Sequence, residues 1–175
     1  MYYFNKMYAK RLRTYKKMGF KVLSNMMENK QSVHAIYSSD NYVDVFEQDL
    51  AKANHNIIIS SPTITADKME RFLYILKPRQ EAGVKVSVML TDPEYKCYGN
   101  VDFYLNLIAQ MRAVGIQVTR TKEDKECFAV IDNELVWHGG MNLLGKVDAW
   151  DNLIRIKSES VAQELMGMIQ EELRQ

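Results

Sequence analysis

A lysine and a cysteine two positions apart, Lys125 and Cys127, open a stretch that runs through Asp132 and closes on Gly139-Gly140-Met141-Asn142. These residue types suit an anionic oxygen ligand: an ammonium charge, backbone bare of side chains and a carboxamide donor. Alternate residues of a strand share a side, so on one strand Lys125 and Cys127 face the same ligand. With an ordinary pKa of about 10.4, Lys125 is a binding charge and not a nucleophile. Cys127 is a thiol largely protonated at neutral pH unless a cation such as Lys125 lowers its pKa. The alternative is a small apolar residue buried on a central strand. His138, just before the glycine pair, is the other candidate nucleophile, on a neighbouring strand with no orienting carboxylate apparent. For Asp132, Gly139 and Gly140 the plainer explanation is turn chemistry that needs no ligand.

Other chemistries are excluded by what the chain lacks. It contains no GxxxxGK[ST], GxGxxG or GxSxG segment, which removes the common nucleotide cradles and the hydrolase nucleophile elbow. His34, His55 and His138 are scattered, and Cys97 and Cys127 form no CxxC; neither a metal site, a cofactor nor a disulfide framework is expected. No run approaches the roughly 20 apolar residues that span a bilayer. MYYFNKMYAKRLR has no apolar segment behind its charges and does not read as a signal peptide. A reducing, cytoplasmic setting follows as the expectation.

The elements that must position these residues alternate. Val33–Tyr37 reads as a strand, Ser38-Ser39-Asp40 as a helix cap, and Tyr42, Phe46, Leu50 and Ala53 as one helical stripe. Asn56–Ser61 is a short apolar run of the kind buried on both faces, ended by Pro62. A helix with Met69, Phe72, Leu73 and Leu76, a strand at 84–90, and a helix with Tyr104, Leu107, Ile108, Met111 and Val114 follow, the last closed by Gly115. Then come strands at 116–120, 127–131 and 135–138, with Asp132-Asn133-Glu134 as a tight hairpin connection, a strand at 152–157, and a helix burying Val161, Leu165, Met168, Ile169 and Leu173. This order predicts an α/β fold: a mixed sheet with helices on both faces.

The net charge of +1 conceals an asymmetry. Residues 1–27 hold Lys6, Lys10, Arg11, Arg13, Lys16, Lys17 and Lys21 and no acid, while the rest of the chain sums to −6. Phe4, Tyr8, Leu12, Tyr15, Met18, Val22 and Met26 recur at helical spacing. Residues 1–32 therefore read as a basic amphipathic arm or linker and 33–175 as the main domain. Such an arm contacts a polyanion, or it is a solvated face, or it packs on an upstream domain.

Lys125-Glu-Cys-Phe-Ala-Val-Ile-Asp132 followed by Gly139-Gly140-Met141-Asn142 resembles the phospholipase D superfamily signature, HxKxxxxD and then GSxN or GGxN, with the spacing kept throughout. Asp40-Asn41-Tyr42 through Ser60-Ser61-Pro62, Ala82–Val86 and Asp151-Asn152-Leu153 extend the similarity over residues 34–175. The resemblance implies a phosphodiester site in which a histidine attacks phosphorus and a lysine neutralises its oxygens. Here Lys125 and Cys127 occupy those two positions, so activity is not expected; His138 and Cys127 remain the weak catalytic candidates. Lys125, Gly139, Gly140 and Asn142 are the implied phosphate contacts, and Asp132 and Asp151 structural members. Similar domains accompany bacterial superfamily 2 helicases, and chains with one motif pair as dimers. The expectation is a degenerate module binding nucleic acid, a possible partner of a helicase motor and a homodimer. The alternatives are a phosphodiesterase with a displaced nucleophile and a pure assembly domain.

Overall fold

Ile57, Ile58 and Ile59 occupy the middle of a mixed sheet, where β-branched side chains pack on both faces. The protein is described by a computed structural model covering residues 21–22, 34–95, 99–146 and 151–172. Its strands are β1 (Lys21–Val22), β2 (His34–Ser38), β3 (Asn56–Ser60), β4 (Lys85–Thr91), β5 (Gln117–Thr121), β6 (Cys127–Ile131), β7 (Leu135–Gly139) and β8 (Asn152–Lys157). Its helices are α1 (Val43–Ala51), α2 (Ala66–Glu81), α3 (Val101–Ala113) and α4 (Glu159–Glu172).

The spatial order is β1-β2-β8-β7-β6-β3-β4-β5, a mixed sheet of seven longer strands with the two-residue β1 added at one edge as the eighth. Strands β3, β4 and β5 are parallel, with α2 and α3 in their crossovers, whereas β3-β6-β7-β8-β2 pair antiparallel. Strands β2, β3, β4, β5 and β7 therefore run the same way, and their carboxyl ends share one edge of the sheet. In open α/β sheets this is the edge where ligands bind.

The two faces are covered unequally. Tyr42, Phe46 and Leu50 of the α1 region, Met69, Phe72 and Leu76 of α2, and Leu107, Ile108 and Met111 of α3 bury one face around Trp137. Trp137 is 4.8 Å from the Tyr37 ring and 5.3 Å from Phe46. The other face is covered by α4, whose Ala162, Val161, Leu165 and Ile169 meet Met89, Phe128, Val130 and Val136. Helices on both faces of a mixed sheet is the predicted architecture. No helix among the described residues is long and apolar enough to cross a membrane.

The local differences have physical causes. The helical spacing of residues 4–26 does not hold at Lys21–Val22, which pair in parallel with Ala35 and Ile36 and so give the edge of β2 a hydrogen-bonding partner. Lys6, Lys10, Arg11, Arg13, Lys16 and Lys17 lie outside the described residues. Ser38–Asp40 do not cap α1: Asn41 accepts from the Ser38 N–H, and the helix begins beyond Tyr42 with no side-chain cap. Met168 is 55 % exposed, because α4 turns only one stripe to the sheet. Leu173 lies outside the described residues.

Candidate functional site

The hairpin that carries the motif is locked at its turn. Asp132 and Asn133 have φ of +53° and +56°, the paired left-handed geometry of a primed turn, which these two residue types tolerate best after glycine. The Asp132 carboxylate accepts from the backbone N–H groups of Asn54, His55 and Asn56 at 2.7–3.1 Å. Partial burial would raise its pKa, but these donors together hold it below the ordinary value. Asp132 thus pins the β6–β7 turn to the loop entering β3, at the sheet end opposite the ligand edge.

At the ligand edge, Asn142 organises the loop after β7. Its Oδ1 accepts from the Ser61 hydroxyl and from the Gly145 N–H at 3.0 Å; its Nδ2 donates to the Thr63 hydroxyl. Ser61 Oγ in turn accepts from the Leu144 N–H at 2.9 Å. The Asn142 carbonyl accepts from Lys68 Nζ at 3.1 Å, and the same ammonium donates to the Tyr42 hydroxyl at 3.0 Å. Lys68 stands in the first turn of α2 and is half-buried. Desolvation lowers its pKa to about 8, against the opposing pull of Asp67 and Cys127.

Cys127 pairs with Gly139 and alternates with Phe128, so it points to the face that carries α2. Burial, followed by Asp151, Asp124 and Glu126, pushes its thiol from 9.0 up to about 11, with Lys68 opposing. The cation that opposes this rise is Lys68, which the spacing did not point to. At pH 7.5 alkylation of Cys127 should run about a hundredfold slower than that of an unperturbed thiol, since each pKa unit removes tenfold in thiolate. Iodoacetamide labelling followed on the Cys127 peptide by mass spectrometry checks this; labelling at the rate of glutathione would refute it.

Lys125 precedes β6 rather than lying on it, so the strand rule that put it beside Cys127 does not apply. It lines a small cavity with Met89, Phe128, Leu165 and Ile169, residues of the α4 face. His138 pairs with Phe128 and also belongs to that face. Its Nε2 lies 2.9 Å from Glu126 Oε2, an orienting carboxylate not apparent in the sequence because it stands just ahead of the neighbouring strand β6, twelve positions away. The candidates therefore divide: Cys127, Asn142 and Lys68 on the three-helix side, Lys125 and His138 on the other. Gly139 and Gly140 adjoin β8, where a Cβ on Gly140 would come 2.8 Å from Asp151 Oδ1. Lys68 and Thr63 were not singled out from the sequence. Their signal, polar residues crowded just after the central apolar strand, is weak without the fold.

The family described as cardiolipin synthase, PLD-like domain, matches residues 46–173. None of the curated proteins compared matches in sequence. Among solved structures the chain is similar to Nuc from Salmonella typhimurium, a phospholipase D family member, with a TM-score of 0.65 at 15 % identity, over 81 % of this chain and 94 % of that one. It is similar to NucT from Helicobacter pylori, with a TM-score of 0.62 at 13 % identity, covering 81 % and 95 %. A third likeness is to TrmBL2, an archaeal chromatin protein whose structure shows a novel mode of DNA binding, with a TM-score of 0.57 at 14 % identity, covering 97 % and 60 %.

Proposed function

The chain belongs to the phospholipase D-like domain family, and from that premise we propose that it is a catalytically degenerate member that binds the phosphates of nucleic acid. The observation that carries this reading is the edge built by Asn142, Ser61, Thr63 and Lys68: the loop after the diglycine is held in one conformation, with an ammonium group beside it. The covalent step of the family needs an imidazole that is both nucleophile and leaving group. Lys125 occupies that motif position, and His138 projects from the opposite face to Lys68. Cys127, with its raised pKa, is a poor substitute. The resemblance of the domain to helicase-associated modules and to one-motif dimers extends the proposal to a homodimer that serves a helicase motor, with the basic arm adding phosphate contacts.

Phosphate contacts confer affinity without sequence preference and with a log–log salt slope of about −0.9 per neutralised phosphate on duplex DNA. Fluorescence anisotropy with an unrelated pair of oligonucleotides should give equal affinities that fall steeply as salt rises. Replacing Lys10, Arg11 and Arg13 with glutamine should flatten that slope by about 3, one per lost contact. The same samples in EDTA should yield no cleavage. Absence of binding at low salt would overturn the reading, and cleavage abolished by His138→Ala or Cys127→Ala would replace it with the displaced-nucleophile enzyme.

A further inference from the structure

We infer that Lys68, donated by α2 from outside the motif, is the phosphate-contacting cation of this site, supplying the charge that Cys127 cannot supply. The inference rests on the phosphate-binding reading above and names the residue and ligand chemistry of the same site. Its ligand is a phosphate or phosphodiester oxygen.

Charge and a donor are left over at Lys68. The loop donors are largely spent on one another: the Leu144 N–H on Ser61, the Gly145 N–H on Asn142 and an Asn142 amide hydrogen on Thr63. Lys68 has three donors, and two go to neutral acceptors, the Tyr42 hydroxyl and the Asn142 carbonyl. Its ammonium also stands 5.7 Å from the Tyr42 ring centroid. No ion pair among the described residues engages it. A half-buried cation whose direct partners are dipoles, with Asp67 acting on it only through space, has lost hydration without gaining a paired counter-charge, and an arriving anion supplies one. The location agrees: the first turn of α2 follows the carboxyl end of β3, on the face to which Cys127 points.

The surroundings also fix how the site responds to pH. Facing Lys68 are Tyr42 ahead of α1, Asp67 on its own helix, Cys127 on β6, and the Arg71–Glu47 ion pair across a cavity shared with Phe46, Phe72 and Leu143. Burial holds the Tyr42 hydroxyl above its ordinary value and the Cys127 thiol near 11, so both stay neutral through the range where Lys68 loses its proton. Binding carried by Lys68 is therefore present below a pH of about 8 and fades above it. Binding carried by surface lysines persists to about pH 10.

The test uses the full chain and two probes, inorganic phosphate followed by nuclear magnetic resonance titration and a single-stranded oligonucleotide followed by anisotropy, each near pH 7.0 and pH 9.5. Wild-type affinity for both should fall between the two pH values, and Lys68→Met at pH 7.0 should weaken both by about ten- to a hundredfold, as for loss of one charged hydrogen bond. Lys68→Arg, whose charge does not titrate, should keep its affinity at pH 9.5, and Lys68→Met should show almost no pH response, which separates Lys68 from the terminal amine. Should Lys68→Met bind both probes like wild type, the inference fails while nucleic-acid binding stands. Phosphate binding that depends on Lys68, with no oligonucleotide binding, upholds the inference and overturns the nucleic-acid reading. Wild-type protein that binds neither probe overturns both.

Discussion

Asp49→Ala should destabilise the fold by about 3–5 kcal/mol, the cost of removing one partner from a buried ion pair. Asp49 lies on α1 and is buried to 8 % exposure. Its Oδ2 accepts from Trp137 Nε1 at 2.9 Å and from Arg155 Nε at 2.7 Å, while Oδ1 accepts from Arg155 Nη2 at 2.9 Å. One carboxylate thus fastens a helix to two adjacent strands and satisfies the polar atom of a fully buried tryptophan. Burial alone would lower the Arg155 pKa; the hydrogen bonds and charge of Asp49 more than reverse that and hold it above its ordinary value. Alanine would leave a guanidinium and an indole N–H without their acceptor, and both losses act together because they share one group. With an m-value of about 1–3 kcal/mol per molar in urea, the unfolding midpoint should drop by more than about 1 M. The near-ultraviolet circular dichroism of Trp137 should weaken in the same variant. A midpoint within 0.3 M of wild type would mean that water replaces the carboxylate at no cost, and that the triad adds little stability.

What the sequence discloses here follows the range of the interaction. Ile57–Ile59, the stripe Tyr42-Phe46-Leu50 and the glycine ending α3 are local signals, and the structure has the corresponding strand, helix face and left-handed Gly115 at φ +87°. The α/β architecture follows, because strand and helix periods differ even in short windows. The site was less legible. Alternation places side chains correctly only inside a strand: it applies to Cys127 and His138, on β6 and β7, and misplaces Lys125, which stands two residues before β6. Asp132 joins residues 77 positions apart, and Lys68 meets Asn142 across 74, separations at which no periodic pattern exists. The first-turn position of Lys68 looks like an ordinary solvated helix residue until the loop after β7 folds over it. The motif's Gly139-Gly140-Met141-Asn142 segment lies at the ligand edge of the sheet, while the ammonium beside it comes from an element the motif does not include.

Gly139→Ala should cost about 3 kcal/mol or more, combining overpacking with a broken strand hydrogen bond. An added Cβ would stand 2.0 Å from the Asn152 carbonyl oxygen and 3.1 Å from Leu153 Cα, atoms of backbone that cannot swing aside. Relief requires β8 to move from β7, which breaks the Gly140 N–H bond to the Asn152 carbonyl and shifts Asp151 beside Gly140. Gly83→Ala is the matched control. Its φ is +90°, and a Cβ there meets nothing within 4 Å, so it should lose only about 1–2 kcal/mol for the left-handed backbone. The pair distinguishes two reasons for glycine at the motif. If Gly139 exists to let a phosphate approach, Gly139→Ala folds with near-native stability and loses anion binding. If it exists to let β8 approach, the variant loses stability far more than Gly83→Ala does, and binding fails only as the fold fails. The 2.0 Å clash favours the second, and urea melts of the two variants beside a phosphate titration decide between them.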